Sequence, residues 1–397
     1  MRHDTGASGV EFLDAGSTGP DDAVGDGPRS RSRWVAVLAV GTAVIALIAA
    51  LTGQRDTQSA APNPVRGSSS APIASPAPPP LPTAAPVSVT DLGHPLLGVT
   101  AGWELFGRGD GVLVRVQFAR GRITRTVVPG LQSTGPVSFV VADRRALIRP
   151  IDVVPGYTVA AGQPARPMST RLADSGPMLP GPDPGHVWVA PDPERLMMAL
   201  VGVDGSRTGT TIRLPPESSP LDAVADGAGY VLITSPRGVF DARPGALRRI
   251  STGSLLAVGP TGWLVAESDR RQREVLVHID SRSGRRHVVG PAPPAGPPAG
   301  LIAPDGRTAV IFAADYDVTP YMLELTGAAE RPVELPGLSV DVSDAATIAW
   351  SPDSRWLFAI DTIGAVRVID VRSRQIRTLA APLPPLRQLV VTSGPAR

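Results

Sequence analysis

The sequence predicts an all-β fold, a propeller of seven blades carried behind an N-terminal transmembrane helix and a Pro-rich linker. Three observations lead there. An uncharged apolar run, Trp34 to Leu51, stands near the N-terminus. Beyond residue 87, short apolar stretches with period-two alternation are punctuated by Gly, Pro and Asp turns. The ends of these stretches recur about every 40 residues, the period of a four-stranded blade.

The first 33 residues are rich in Gly, Asp and Ser and carry no sustained periodicity. Such a segment buries too little apolar surface to offset chain entropy, so it reads as a disordered cytoplasmic tail. The run WVAVLAVGTAVIALIAAL follows, within a span taken as residues 34–52. At ~1.5 Å per residue it makes a helix of roughly 27 Å, close to the thickness of a bilayer core. Arg29, Arg31 and Arg33 precede it, and Arg55 is the close positive charge after it. The positive-inside bias keeps the N-terminus in the cytoplasm and exports the C-terminal bulk across the cell membrane. A cleaved signal peptide is the rival reading, with Ala49, Ala50, Ala60 and Ala61 as small residues for a cleavage site. The long tail and long apolar run weigh against it. There is no cysteine to acylate and no adjacent Arg pair before the run. Residues 53–86 are dominated by Pro, Ala and Ser, and read as an extended spacer.

The exported domain is residues 87–397. Val112, Val114, Val116 and Phe118 fall on one face of a strand, as do Val275, Val277 and Ile279. In VRVIDV, Arg367, Ile369 and Val371 share one side, with Val366 and Val368 on the other. The turns are specific. Ala303-Pro304-Asp305-Gly306-Arg307 precedes TAVIF, and Ser351-Pro352-Asp353-Ser354-Arg355 precedes WLFAI. Ala190-Pro191-Asp192-Pro193-Glu194-Arg195, a looser copy, precedes LMMAL. Pro presets φ, Asp accepts from backbone further along the turn, and Gly takes positive φ. Val128, Leu172, Leu214, Ile250, Val289, Leu335 and Leu379 mark the ends of successive units, with gaps of 44, 42, 36, 39, 46 and 44 residues. Seven units imply seven blades. The unit around Pro155 to Ala173 is the weakest, and leaves six or eight open. Blades packed in a circle bury both faces of each, and Leu389-Val390-Val391 is placed to supply a strand that closes the ring on the first blade.

SPDSRWLFAIDTIGAVRVIDVRS and APDGRTAVIF resemble blades of WD40-like and TolB-like bacterial propellers. The resemblance is clear over the last two units and diffuse elsewhere, and the Gly-His and Trp-Asp pairs of true WD40 repeats are missing. It implies binding to other proteins or to envelope components.

Composition removes much chemistry. All 38 basic residues are arginine and there is no cysteine. Without lysine there is no phosphate-loop lysine, Schiff base or pyridoxal anchor. Without cysteine there is no thiol nucleophile, disulfide or Cys-ligated metal. No G-x-S-x-G elbow and no H-E-x-x-H occur. His3, His94, His186, His278 and His287 are scattered, although His278 and His287 flank one hairpin. Asp315 and Asp317 form a D-x-D too sparse for a hard cation. Ser351-Pro352-Asp353 is similar to the Asp-box turn of sialidases, but Arg355 stands where that motif has Gly. No cofactor, metal or catalytic residue is expected. A formal net charge of +2 argues for no nucleic-acid partner.

The expectation is therefore a membrane-anchored, non-catalytic binding or scaffolding module for a protein or cell-envelope component, held to the bilayer by residues 34–52. A sensor reporting through the short tail and an envelope hydrolase are the alternatives. The candidate anionic-ligand patch is Arg270, Arg271, Arg273, Arg282, Arg285 and Arg286, which crowd one unit.

Overall fold

The computed structural model describes residues 86–131, 137–150, 156–173, 176–192, 195–292, 300–312, 320–326, 332–340 and 346–394. The tail, the apolar span and the linker expected at 1–33, 34–52 and 53–86 lie outside them, except Pro86, as does the Asp315/Asp317 motif. Among the described residues, no helix is long and apolar enough to cross a membrane. Pro79 to Arg397 forms one compact unit.

That unit is all-β and propeller-like. Among the described residues its strands form six hydrogen-bonded sheets, nearly all antiparallel meanders. In chain order the sheets run Val87–Val127, Val137–Pro167, Met178–Arg213, Ala223–Ser251, Ser254–Glu334 and Ile348–Thr378. The fifth has eight strands. It consists of two four-stranded meanders, Ser254–Pro291 and Gly300–Glu334, joined where their first strands pair in parallel through Ala257↔Gly300 and Val258↔Leu301. Both faces of each sheet are buried, which is why the strands read as apolar runs with superimposed alternation. Val112, Val114, Val116 and Phe118 pack towards the sixth sheet, and Leu113, between the first two, packs towards the second. Val366 and Val368 face the first sheet, while Ile369 and Val371 face the fifth.

The core is divided accordingly. Seven apolar clusters lie among the described residues, each between neighbouring layers. One fills the space between the two halves of the fifth sheet. Another joins the sixth sheet back to the first, with Phe118 and Phe358 rings 5.4 Å apart. Each fully buried Leu, Val or Phe contributes about 1.5–3 kcal/mol, so these interfaces hold the sheets together without disulfides. Of the seven expected unit ends, six lie in or one residue beyond the last strand of a meander. Leu172 instead lies in a short helix, Thr170–Ala173, after the two-residue strand Arg166–Pro167. All seven are buried.

The C-terminal strand Leu386–Ser393 belongs to the first sheet. It pairs antiparallel with Trp103–Gly109, placing Leu389, Val390 and Val391 opposite Gly107, Phe106 and Leu105. Gly107 and Gly109 allow its approach, because a Cβ on either would collide with Leu386 or the Pro385 carbonyl. Buried Gln388 fastens the closure. Its side-chain oxygen accepts from Arg108 Nε at 2.6 Å, and its amide donates to the Val137 carbonyl of the second sheet at 3.0 Å.

The Pro-Asp turns behave as their chemistry requires. Asp305 and Asp353 accept from the Arg307 and Arg355 backbone N–H, each at 3.0 Å. Gly306 has φ +72° and Ser354 has φ +60°. The two turns touch, since Ser354 Oγ accepts from Asp305 N–H at 3.0 Å. The third copy is not equivalent. Residues 190–195 connect the second and third strands of their sheet, whereas the other two connect the first and second. The true counterpart in that sheet is Pro182-Asp183-Pro184-Gly185, where Asp183 accepts from Gly185 N–H at 2.9 Å.

Candidate functional site

The six arginines expected to form one patch fall into two groups. Strand Glu274–Asp280 separates the turn at Asp269–Arg273 from the turn at Ser281–Arg285. Seven residues at about 3.3 Å each put these turns roughly 20 Å apart, at opposite ends of the sheet. In the first turn, Arg273 Nη2 pairs with Asp269 at 2.7 Å. Asp269 also accepts from the Arg271 and Arg273 backbone N–H. Those bonds, the Arg273 backbone first, hold its carboxyl below the usual range. Arg270 and Arg271 project into solvent.

The second group acquires different neighbours. Asp280 organises its turn by accepting from the Ser283 hydroxyl at 2.7 Å and from the Ser283 and Arg282 N–H, which lower its pKa. Gly284, at φ +68°, lies against Arg248 of the fourth sheet, whose Nη1 would sit 3.8 Å from a Cβ there. Arg286 spans the same seam. It donates to the Ile250 carbonyl at 2.6 Å and to both Glu267 oxygens at 2.5 Å. Burial raises the Glu267 pKa, but Arg286 and the Ser251 hydroxyl outweigh it, so the carboxyl ends below its ordinary value. The result is an arginine-rich rim of Arg248, Arg282, Arg285 and Arg286, built at the outermost strands of two neighbouring sheets, Ala246–Ser251 and Arg286–Pro291; Arg249, paired with Phe240, lies on the other face of its strand, towards the third sheet. Arg248 is paired with Asp241 at 3.2 Å and Arg286 with Glu267. Arg249, Arg282 and Arg285 are exposed and form no ion pair among the described residues.

Sequence reasoning missed Arg248. It stands one unit upstream, and the doublet in ALRRIS was the only trace of it. Its contribution depends on which strand edges become neighbours.

Beneath this rim lies a buried polar cluster. Asp241 binds Arg243 and Arg248, and Arg243 lies over the Tyr230 ring at 4.8 Å from its centroid. Asp226 accepts from Ala228 and Tyr230 N–H at 2.7 and 2.9 Å, yet burial pushes its carboxyl pKa up. Neither carboxylate is reachable by a substrate, because both side chains are almost fully covered.

His278 and His287 do meet. They are cross-strand partners with ring centroids 4.9 Å apart in an edge-to-face arrangement. His287 Nε2 lies 3.1 Å from the Leu325 carbonyl. Among the described residues, neither ring nitrogen of buried His278 has a hydrogen-bond partner, and burial, then His287, depress its pKa. Among the described residues no three His, Asp or Glu side chains are grouped to hold a metal ion. His186 is engaged by Asp183 at 2.6 Å, and His94 Nδ1 lies 2.8 Å from the Leu92 carbonyl. A shallow apolar groove of about 160 Å³ lies between Ile363–Val366 and Leu379–Pro385.

No protein-family model and no curated protein matches the sequence. Similarity to solved structures is confined to architecture. A functionally unknown protein from Desulfotomaculum acetoxidans is 10% identical, with 72% of this chain and 98% of that chain covered at a TM-score of 0.47. AztD from Citrobacter koseri is 12% identical, with 75% and 99% covered at 0.43. TolB from Acinetobacter baumannii is 10% identical, with 77% and 82% covered at 0.39.

Proposed function

We propose that this chain is a non-catalytic binding or scaffolding module for a cell-envelope component bearing anionic groups. The reading takes residues 34–52 as a membrane anchor with the N-terminus in the cytoplasm and residues 87–397 outside. It takes the ring as seven-bladed, counting the fifth sheet as two blades. Seven clusters in cyclic order support that count, because a six-bladed ring would leave no interface inside the eight-stranded sheet. The observation that carries the binding reading is the rim. Arg282 and Arg285 share one turn at the seam between the fourth and fifth sheets and form no ion pair among the described residues. Guanidinium groups in that state offer paired donors to phosphate or carboxylate oxygens.

The test is photo-crosslinking of the full chain in intact cells, with a benzoylphenylalanine probe at Ser283 or at Gln272. An envelope component should crosslink at 283, lose the adduct at high salt, and not crosslink at 272, which sits at the other end of the sheet. Equal adducts at both positions, or none at 283, contradict the reading.

A further inference from the structure

We propose that His278 and His287 form a chelating pair for a divalent first-row transition metal, a site independent of the arginine rim. His278 stands on strand Glu274–Asp280 and His287 on Arg286–Pro291, as direct cross-strand partners. His278 is 8% exposed, and among the described residues neither of its ring nitrogens has a hydrogen-bond partner. Buried polar atoms are nearly always satisfied, so an imidazole with both nitrogens idle calls for an occupant. His287 supplies the other half. It is exposed, and its Nε2 stands 3.1 Å from the Leu325 carbonyl, which can only accept. That contact puts the proton on Nε2 and leaves the Nδ1 lone pair for a metal. A metal-binding histidine is usually fixed in this way, through its other nitrogen.

The spacing of the rings suits a shared ion. Two imidazole nitrogens, each about 2.0–2.1 Å from one ion, set the ring centroids roughly 4.5 Å apart at a right angle and roughly 5.2 Å apart at the tetrahedral angle. The observed separation is 4.9 Å. The 73° between the ring planes places no bar on ligation, because each ring can rotate about its metal–nitrogen bond. The local charge is also favourable. Arg286, opposite Ile279 in the register, turns to the other face and is held by Glu267 and the Ile250 carbonyl. Asp280 lies two residues beyond His278, on the same face of the strand. Among the described residues no third His, Asp or Glu joins the pair, so the remaining positions fall to water or to a small ligand from solution. Of the divalent ions that imidazole suits, Cu(II) binds most strongly, which makes it the probe.

The test titrates Cu(II) into the full chain after metal removal with EDTA, and reads the bound ion by pulsed electron paramagnetic resonance. All proteins carry His3→Ala, which removes an imidazole from any competing amino-terminal site. With the pair intact, one Cu(II) per chain should bind with two coordinated imidazoles. His287→Gln keeps a donor for the Leu325 carbonyl, yet should weaken binding about tenfold or more and leave at most one imidazole on the ion. His278→Leu should do the same, and His186→Gln should change neither property. Because His287 is exposed, His287→Gln should keep the metal-free denaturation midpoint, and it carries the decision alone if His278→Leu lowers that midpoint. No saturable binding, a single imidazole with the pair intact, or binding that survives His287→Gln overturns the proposal.

Discussion

Ser354 holds a left-handed backbone conformation, φ +60°, where its neighbour turn uses Gly306. The conformation costs about 1 kcal/mol in a residue with a Cβ, and the bond from Asp305 N–H returns a similar amount. Ser354→Gly should therefore leave the denaturation midpoint close to wild type. Ser354→Ala keeps the strain and loses the bond, and should lower stability by about 1–2 kcal/mol. His278 makes the second residue-level prediction. Its folded pKa lies below the unfolded value, so the unfolded chain binds more protons between the two. Its contribution is fully present above about pH 6.5 and is lost as pH falls through the folded pKa. Denaturation midpoints measured from pH 8 down to pH 5 should fall for wild type, and fall less for His278→Leu. Asp226 has the opposite sign. Its folded pKa is raised, so its contribution is present below pH 3.8 and lost as pH rises through the folded value. Asp226→Asn keeps an oxygen for the Ala228 and Tyr230 N–H and should be no less stable than wild type at pH 7. Asp226→Ala strips both bonds and should cost about 2 kcal/mol.

At the scale of elements, closure depends on one strand. A chain ending at Leu383 loses Leu386 and Leu389 from the core and exposes the edge of Trp103–Gly109. It should unfold at markedly lower denaturant than the full chain. Gln388→Leu is the finer probe. It leaves buried Arg108 Nε and the Val137 carbonyl without their bonds and should cost roughly 2 kcal/mol or more, measured by equilibrium denaturation. What was legible in the sequence follows from the distances involved. The alternation of Val275, Val277 and Ile279, the Asp turns and the Leu389–Val391 closing strand are set by local periodicity and composition, and the structure has them. The Pro-Asp copy at 190–195 misled, because a turn tetrapeptide is indifferent to which pair of strands it joins. The rim was half legible. Arg282, Arg285 and Arg286 stand together in sequence, but Arg270 and Arg271 are removed by the length of the intervening strand. Arg248 enters only through packing between sheets. Gln388 and Arg108 are 280 residues apart, and no local pattern pairs them.

At the scale of the whole molecule, a ring of sheets separates two tasks. The interior between layers is apolar and provides the stability of a chain without cysteine. The circumference is free to carry charge, and arginine on outer strands also blocks edge-to-edge association. Exposed arginines contribute at most ~1 kcal/mol each to folding, so their removal leaves the ring intact and isolates their role in binding. The most direct measurement is the salt dependence of binding between the full chain and native envelope material, for wild type and for Arg282→Gln/Arg285→Gln. The account predicts wild-type affinity that falls steeply with ionic strength, and a variant that binds weakly with a flat salt response and an unchanged denaturation midpoint. Equal affinity and equal salt slopes in the two proteins would contradict it.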